Sequence, residues 1–166
     1  MAMRALRWWL VRAVACGTLL GAPHLMDAQE LVIRRADGTE ARLSAADIAR
    51  LPHVTFEATD HERVTRFAGV ALREVLQAVA AGPADSLRGP LLRRVVLAQG
   101  ADGYRALVAL AEADRSIAAR EVFVVTAADG APLSAAMGPY RLVVLGDGRA
   151  SRWVRQLVRL EIRDVP

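Results

Sequence analysis

Apolar positions along this chain recur in short alternating runs more often than at helical spacing, and turn residues separate the runs. Leu31 to Arg35 and Glu40 to Leu43 flank Ala36-Asp37-Gly38-Thr39, an Asp-Gly turn that predicts a β-hairpin. Ser44 then stands where an N-cap belongs, so a short helix is expected over Ala45 to Leu51, stopped by Pro52. Val54 to Thr59 and Arg63 to Phe67 read as strands around the polar Asp60-His61-Glu62. A corner at Phe67-Ala68-Gly69-Val70 hands over to an amphipathic helix, Ala71 to Ala80, with Leu72, Val75, Leu76 and Val79 on its apolar face.

After a loop from Gly82 to Pro90, Leu92 to Ala98 reads as a buried strand. Arg105 to Leu110 fits either a strand or a helical turn, and Glu112 to Ala119 is expected to be helical. Glu121 to Ala127 is an apolar, β-branched strand that ends at the Asp129-Gly130 turn. Arg141 to Leu145 is strand-like between a Gly-Pro turn and Gly146-Asp147-Gly148. In the closing segment Arg155, Arg159 and Arg163 alternate with Val154, Val158, Leu160 and Ile162, which favours a strand with a solvated basic face over a helical stripe. Strands outnumber helices and no internal repeat is visible, so the expected architecture is α+β with antiparallel and mixed sheets.

The N-terminal segment narrows this picture. Arg4, Arg7 and Arg12 precede an apolar stretch from Ala13 to Ala22, which reads as a secretory leader over residues 1–28, cut after Ala28. Residues 29–166 are then expected to be one domain, periplasmic or secreted. The apolar stretch is shorter than the ~20 residues that span a bilayer, and no later segment is long and uncharged enough, so no stable membrane span is expected. The one cysteine, Cys16, falls inside the leader. Ala13-Val14-Ala15-Cys16 also has the look of a lipid-attachment site, but the apolar run continues past it through Leu19 and Leu20. Without Cys16 the remaining chain has no disulfide, no thiolate nucleophile and no cysteine metal site.

All 22 basic residues are arginine, which rules out Schiff-base and lysine-base chemistry. Three of those arginines and one of the 18 acids precede residue 29, leaving a net of +2, too small a surplus to suggest nucleic acid as a partner. Neither Ser134 nor Ser151 sits in a Gly-x-Ser-x-Gly elbow. Asp60-His61-Glu62 is rich in ligand types, yet consecutive extended residues point to opposite faces, so a solvated turn is expected there and no metal site. His53, beside Pro52, reads as a surface residue, and Trp153 as core.

Six punctuation points then follow one another in an informative order: Leu51-Pro52, Phe67-Ala68-Gly69-Val70-Ala71-Leu72, Asp102-Gly103-Tyr104, Asp129-Gly130-Ala131-Pro132-Leu133, Gly138-Pro139-Tyr140-Arg141 and Arg152-Trp153. From about Leu51 onward the chain resembles the oxidoreductase molybdopterin-binding domain of sulfite oxidases and of the periplasmic methionine sulfoxide reductase. The resemblance implies a sulfite-oxidase-like fold in which a pterin dithiolene and one cysteine thiolate hold molybdenum, a soft donor matching a soft centre. It also implies where the site lies. Arg141 matches the arginine after the Gly-x-Pro turn, Gly148-Arg149-Ala150-Ser151 the loop that approaches the pterin phosphate, and Tyr104 a residue at the pocket mouth. The loop is shorter than the family's and lacks its lysine, leaving Arg149 or Arg152 as the substitute.

The family's cysteine belongs to the strand before the aromatic-x-Gly corner, and the stretch from Val54 to Glu62 contains none. Two functional readings therefore stand open beside a third, a purely structural role as an accessory subunit. In the first the protein is a degenerate, non-redox module without a cofactor, binding a small anionic ligand or an envelope partner protein. In the second it is a molybdopterin-dependent oxidoreductase that transfers oxygen atoms without a cysteine ligand, Arg141, Arg149 and Ser151 holding the pterin. No residue is assigned a catalytic role.

Overall fold

The computed structural model describes residues 29–60, 62–82, 87–118 and 121–165. The expected leader, Cys16 and His61 lie outside them. Strands β1 (Leu31–Arg34) and β2 (Glu40–Leu43) pair antiparallel across the Asp-Gly turn. The turn is closed by the Asp37 carboxylate, which accepts from both the amide and the hydroxyl of Thr39. Helix α1 (Ala45–Arg50) opens on a reciprocal cap: Ser44 Oγ accepts from the Asp47 amide, and the Asp47 carboxylate accepts from the Ser44 amide.

Strands β3 (His53–Asp60) and β4 (Arg63–Ala71) form a long hairpin, followed by α2 (Leu72–Ala78). The corner expected at Phe67 to Val70 is instead strand. β4 continues through it to Ala71, with a bulge between Ala68 and Gly69 against the later strand β7 (Val122–Ala128). Gly69 is needed there because the two backbones nearly touch: a Cβ at this position would stand 2.4 Å from the Val124 carbonyl oxygen. The expected apolar face of α2 is buried as read, with Leu72, Val75 and Leu76 fully inaccessible and Val79 nearly so.

Strands β5 (Arg94–Gly100) and β6 (Arg105–Ala109) make a second hairpin, which settles Arg105 to Ala109 as extended. The helix expected over 112–119 does not form among the described residues. A single 3-10 turn, Leu110–Ala113, takes its place, because the Asp114 carboxylate captures the amides of Ser116 and Leu87 and the Ser116 hydroxyl. A side chain that binds nearby backbone in this way competes with helix continuation. β8 (Ala131–Pro132), β9 (Arg141–Val144) and β10 (Leu157–Asp164) complete the strands.

Two sheets result. One has the order β2-β1-β10-β5-β6, antiparallel except for the parallel pair β1 and β10. In the other, β4 lies between β3 and β7, and β8 and β9 both pair with β7. Leu31, Ile33, Val96 and Leu160 from the first sheet join Phe67, Val70, Phe123 and Leu142 from the second in one hydrophobic core.

The closing alternation holds only in part. Val154 precedes β10 and bridges to Leu142, Gln156 takes a left-handed φ of 46°, and a bulge separates Leu157 from Arg159. The bulge reverses the faces at the start of the strand, so Leu157 is buried where Val158 was expected, while Leu160 and Ile162 follow the pattern.

Replacing Gly69 with Ala is expected to destabilise the protein by about 1–3 kcal/mol, read from the urea midpoint, because backbone and not a flexible side chain meets the new methyl. Ser44→Ala is expected to cost about 1 kcal/mol by the same measurement. The Ser44 hydroxyl and amide hold Asp47 below the ordinary carboxylate range, and Arg163 does the same to Glu161. Groups whose folded pKa is depressed stabilise above their unfolded pKa and lose that contribution as pH falls. The thermal midpoint should therefore drop between about pH 5 and pH 3.

Candidate functional site

Arg141 is the first of four consecutive buried residues in β9, and the cis Gly138-Pro139 peptide leads into it. A guanidinium in such a strand needs a counter-charge, because desolvating an unpaired ion costs several kcal/mol. Asp60, the last residue of β3, supplies it: Arg141 Nη1 donates to Asp60 Oδ2 at 2.8 Å, with side-chain exposures of 6% and 14%. Two aromatic rings hold the cation from its flanks. Arg141 Cζ lies 5.0 Å from the Trp153 ring and 5.7 Å from that of Phe67, and the two rings meet edge to face at 82°. Trp153 is itself fixed by its Nε1, which donates to the Val144 carbonyl at 3.0 Å. The Nε of Arg141 is buried and has no hydrogen-bond partner among the described residues.

Two cavities open on this pair, and Asp60, Met137 and Arg141 line both. The first, of about 250 Å³, is also bounded by Tyr104, Trp153 and Arg155. The second, of about 330 Å³, runs over Phe67, Pro132 and Leu133 beside Thr65 and Ser134. A third, wider cavity of about 620 Å³ is formed by Thr59, Glu62 and residues 147–151. The five candidate residues are thus divided. Arg141 and Tyr104 share the first cavity, while Gly148, Arg149 and Ser151 line the third. Ala150 belongs to both, and the Tyr104 hydroxyl donates to the Ser151 carbonyl, tying the two walls together. Tyr104 sits on the expected turn, where Asp102 accepts from its amide and Gly103 supplies a φ of 82°.

Arg152 does not stand free for an anion. Its Nε and Nη2 donate to the Asp147 carboxylate at 2.9 and 2.7 Å, and Nη1 donates to Glu112 at 3.0 Å. Asp147 first, then Glu112, hold this guanidinium above the usual arginine range. The residue clamps the 147–152 loop to the 3-10 turn at Leu110–Ala113. The expected basic face is likewise laced with acids, Arg159 pairing with Glu40 at 2.6 Å and Arg163 with Glu161 at 2.8 Å. Arg149 and Arg155, both exposed, make no ion pair among the described residues.

Met137 is a lining residue that the sequence reading did not single out, Arg155 was expected only on a solvated basic face, and Asp60, expected in a solvated turn, instead ends β3 and is largely buried against Arg141. The strand that ends at Asp60 is the one to which the resemblance assigns the metal-bearing cysteine. The side chain that stretch brings to Arg141 is a hard carboxylate, already ion-paired. With Met137 the only sulfur at these cavities and no cysteine among the described residues, the donors here do not fit a thiolate-held molybdenum. No group of three or more His, Cys, Asp or Glu residues able to hold a metal ion occurs among the described residues. Nor is any helix among them long and apolar enough to cross a membrane.

Mixed sheets with short helices, and a cleft between the β3–β4 hairpin, β9 and the loop after it, define a sulfite-oxidase-like α+β domain. The sequence matches the model of the oxidoreductase molybdopterin binding domain over residues 60–166, and the chain belongs to that family. Among solved structures it is similar to the sulfane dehydrogenase SoxCD from Paracoccus pantotrophus, with a TM-score of 0.60 and 20% identity over 82% of this chain. The match spans 38% of the length of that structure's chain. No curated protein matches the sequence.

Arg152→Ala leaves two carboxylates facing each other without their cation. It should cost about 1–2 kcal/mol, discounted because the side chain is 32% exposed, and should raise hydrogen exchange in residues 147–152 before the sheets are affected.

Proposed function

We propose that this family member is a non-redox module of the exported compartment, which uses the cleft around Arg141 to bind a small anionic ligand. The observation that carries this reading is the Arg141–Asp60 pair: the strand assigned the family's thiolate delivers a carboxylate bonded to a guanidinium. A soft molybdenum centre gains little from a hard, charge-neutralised oxygen donor, whereas a buried guanidinium flanked by aromatic rings suits oxyanion recognition. Arg149 and Arg155, exposed at the adjoining walls, add positive charge that would draw an anion inward. Export rests on the leader-like composition of residues 1–28. The family's own chemistry, oxygen-atom transfer at a molybdenum-pterin cofactor, is the competing reading, and family membership is what favours it.

Protein purified after its native route should contain no stoichiometric molybdenum by elemental analysis, and no pterin fluorescence after oxidative release. Stoichiometric molybdenum with pterin would overturn the non-redox reading. Sequencing of the mature N-terminus should begin at Gln29, and an intact Met1 on the fractionated protein would overturn the export reading.

A further inference from the structure

Besides the Arg141–Asp60 pair, the 250 Å³ cavity carries two further charges of opposite sign in its wall, Asp102 and Arg155. Asp60 and Arg141 neutralise one another at 2.8 Å. Asp102 and Arg155 are both exposed, and neither forms an ion pair among the described residues. The segments that carry them are nevertheless joined. The Ala101 amide donates to the Gln156 carbonyl at 2.9 Å, and a Cβ on Gly100 would stand 2.6 Å from the Arg155 carbonyl. Asp102 is held in its turn through one oxygen: Oδ1 accepts from the Tyr104 amide at 2.9 Å, and Oδ2 is left without a donor among the described residues. A carboxylate oxygen and a guanidinium from touching segments thus line one cavity without pairing.

We infer that the ligand of this cleft carries both signs of charge: it is a small zwitterion, with a carboxylate and an ammonium on one short frame, as in a free amino acid. A purely anionic ligand meets one attraction and one repulsion at this wall, whereas a zwitterion meets two attractions. Its carboxylate takes Arg155, whose guanidinium matches a planar two-oxygen acceptor, and its ammonium donates to Asp102 Oδ2. At ~30 Å³ per water the cavity has the volume of roughly eight waters, enough for a few methylenes between two charged groups. Met137 and Trp153 give those methylenes apolar walls, and the Arg141–Asp60 pair stays closed beside them. This inference rests on the anion-binding reading and deepens it: the carboxylate is the anionic group, and the ammonium is what is added.

The test titrates the purified protein by calorimetry at fixed ionic strength, because exposed pairs are screened by salt. The probes are glycine, β-alanine and 4-aminobutyrate, with butyrate as the anion alone and butylammonium as the cation alone. The best of the three zwitterions should bind at least about fivefold tighter than either single-charge probe, the worth of one partly exposed ion pair. Asp102→Asn keeps the oxygen that accepts from the Tyr104 amide and removes only the charge, so the turn is retained. It should bring the zwitterion to the affinity of butyrate while leaving butyrate binding undiminished. Arg155→Gln should weaken both. Should either variant fail to fold, the wild-type comparison still decides. Butyrate matching the best zwitterion in the wild type, or Asp102→Asn leaving the zwitterion's advantage intact, would overturn the inference and leave the anion reading standing. If no probe binds, and sulfate does not either, both readings fall together.

Discussion

A guanidinium without water around it must be neutralised, and in this protein one such group sits at the start of a strand whose four residues are all buried. The attraction between Arg141 and Asp60 offsets the desolvation of both only because the geometry is tight and two rings complete the enclosure. Much else follows from that requirement. The β3–β4 hairpin has to be long enough, and in the right register, for the last residue of β3 to reach β9, which is not its neighbour in the sheet. Trp153 must meet the Phe67 ring edge to face, and the Val144 carbonyl holds it there.

Around this centre the loops are secured by arginine forks and by single backbone contacts. Arg152 binds two carboxylates with three nitrogens, a geometry that a lysine ammonium cannot reproduce. The segment after it is stitched into the neighbouring turns: the Ala101 amide donates to the Gln156 carbonyl, the Gln156 amide to Met137, and the Leu157 amide to Tyr140. Gly100 makes room for this crossing, since a Cβ there would stand 2.6 Å from the Arg155 carbonyl. The cleft therefore has walls built from short, hydrogen-bonded connections, and its chemistry lies in the side chains that project between them.

The elements with a local signature could be read from the chain itself. The Asp37-Gly38 turn, the Ser44 cap and the apolar face of α2 each depend on residues a few positions apart, and they form as expected. The features that escaped depend on partners distant in sequence. The strand through Gly69 needs β7 beside it, the missing helix after Ala113 reflects Asp114 reaching back to Leu87, and the reversed faces of Leu157 and Val158 come from a bulge against β5. Arg141 could be picked out, but nothing in a polar Asp-His-Glu triplet shows that its first member crosses to that arginine. Arg152 misled for the same reason, since its acids lie at Asp147 and at Glu112, 40 residues away.

The five-stranded sheet carries a consequence for how the molecule is made. Its third strand is β10, seated between β1, which comes from the beginning of the described chain, and β5. Until residues Leu157–Asp164 have been synthesised, β1 and β5 have no common neighbour, and the apolar faces of Leu31, Ile33 and Val96 lack the cover of Leu160 and Ile162. Pairings of such wide sequence separation form slowly, because the loop entropy is lost before any contact compensates it. The β3–β4 hairpin and its pairing with β7 need no such wait. Assembly is thus ordered by topology, with the sheet that carries Asp60 and Arg141 able to close around its ion pair before the other acquires its central strand.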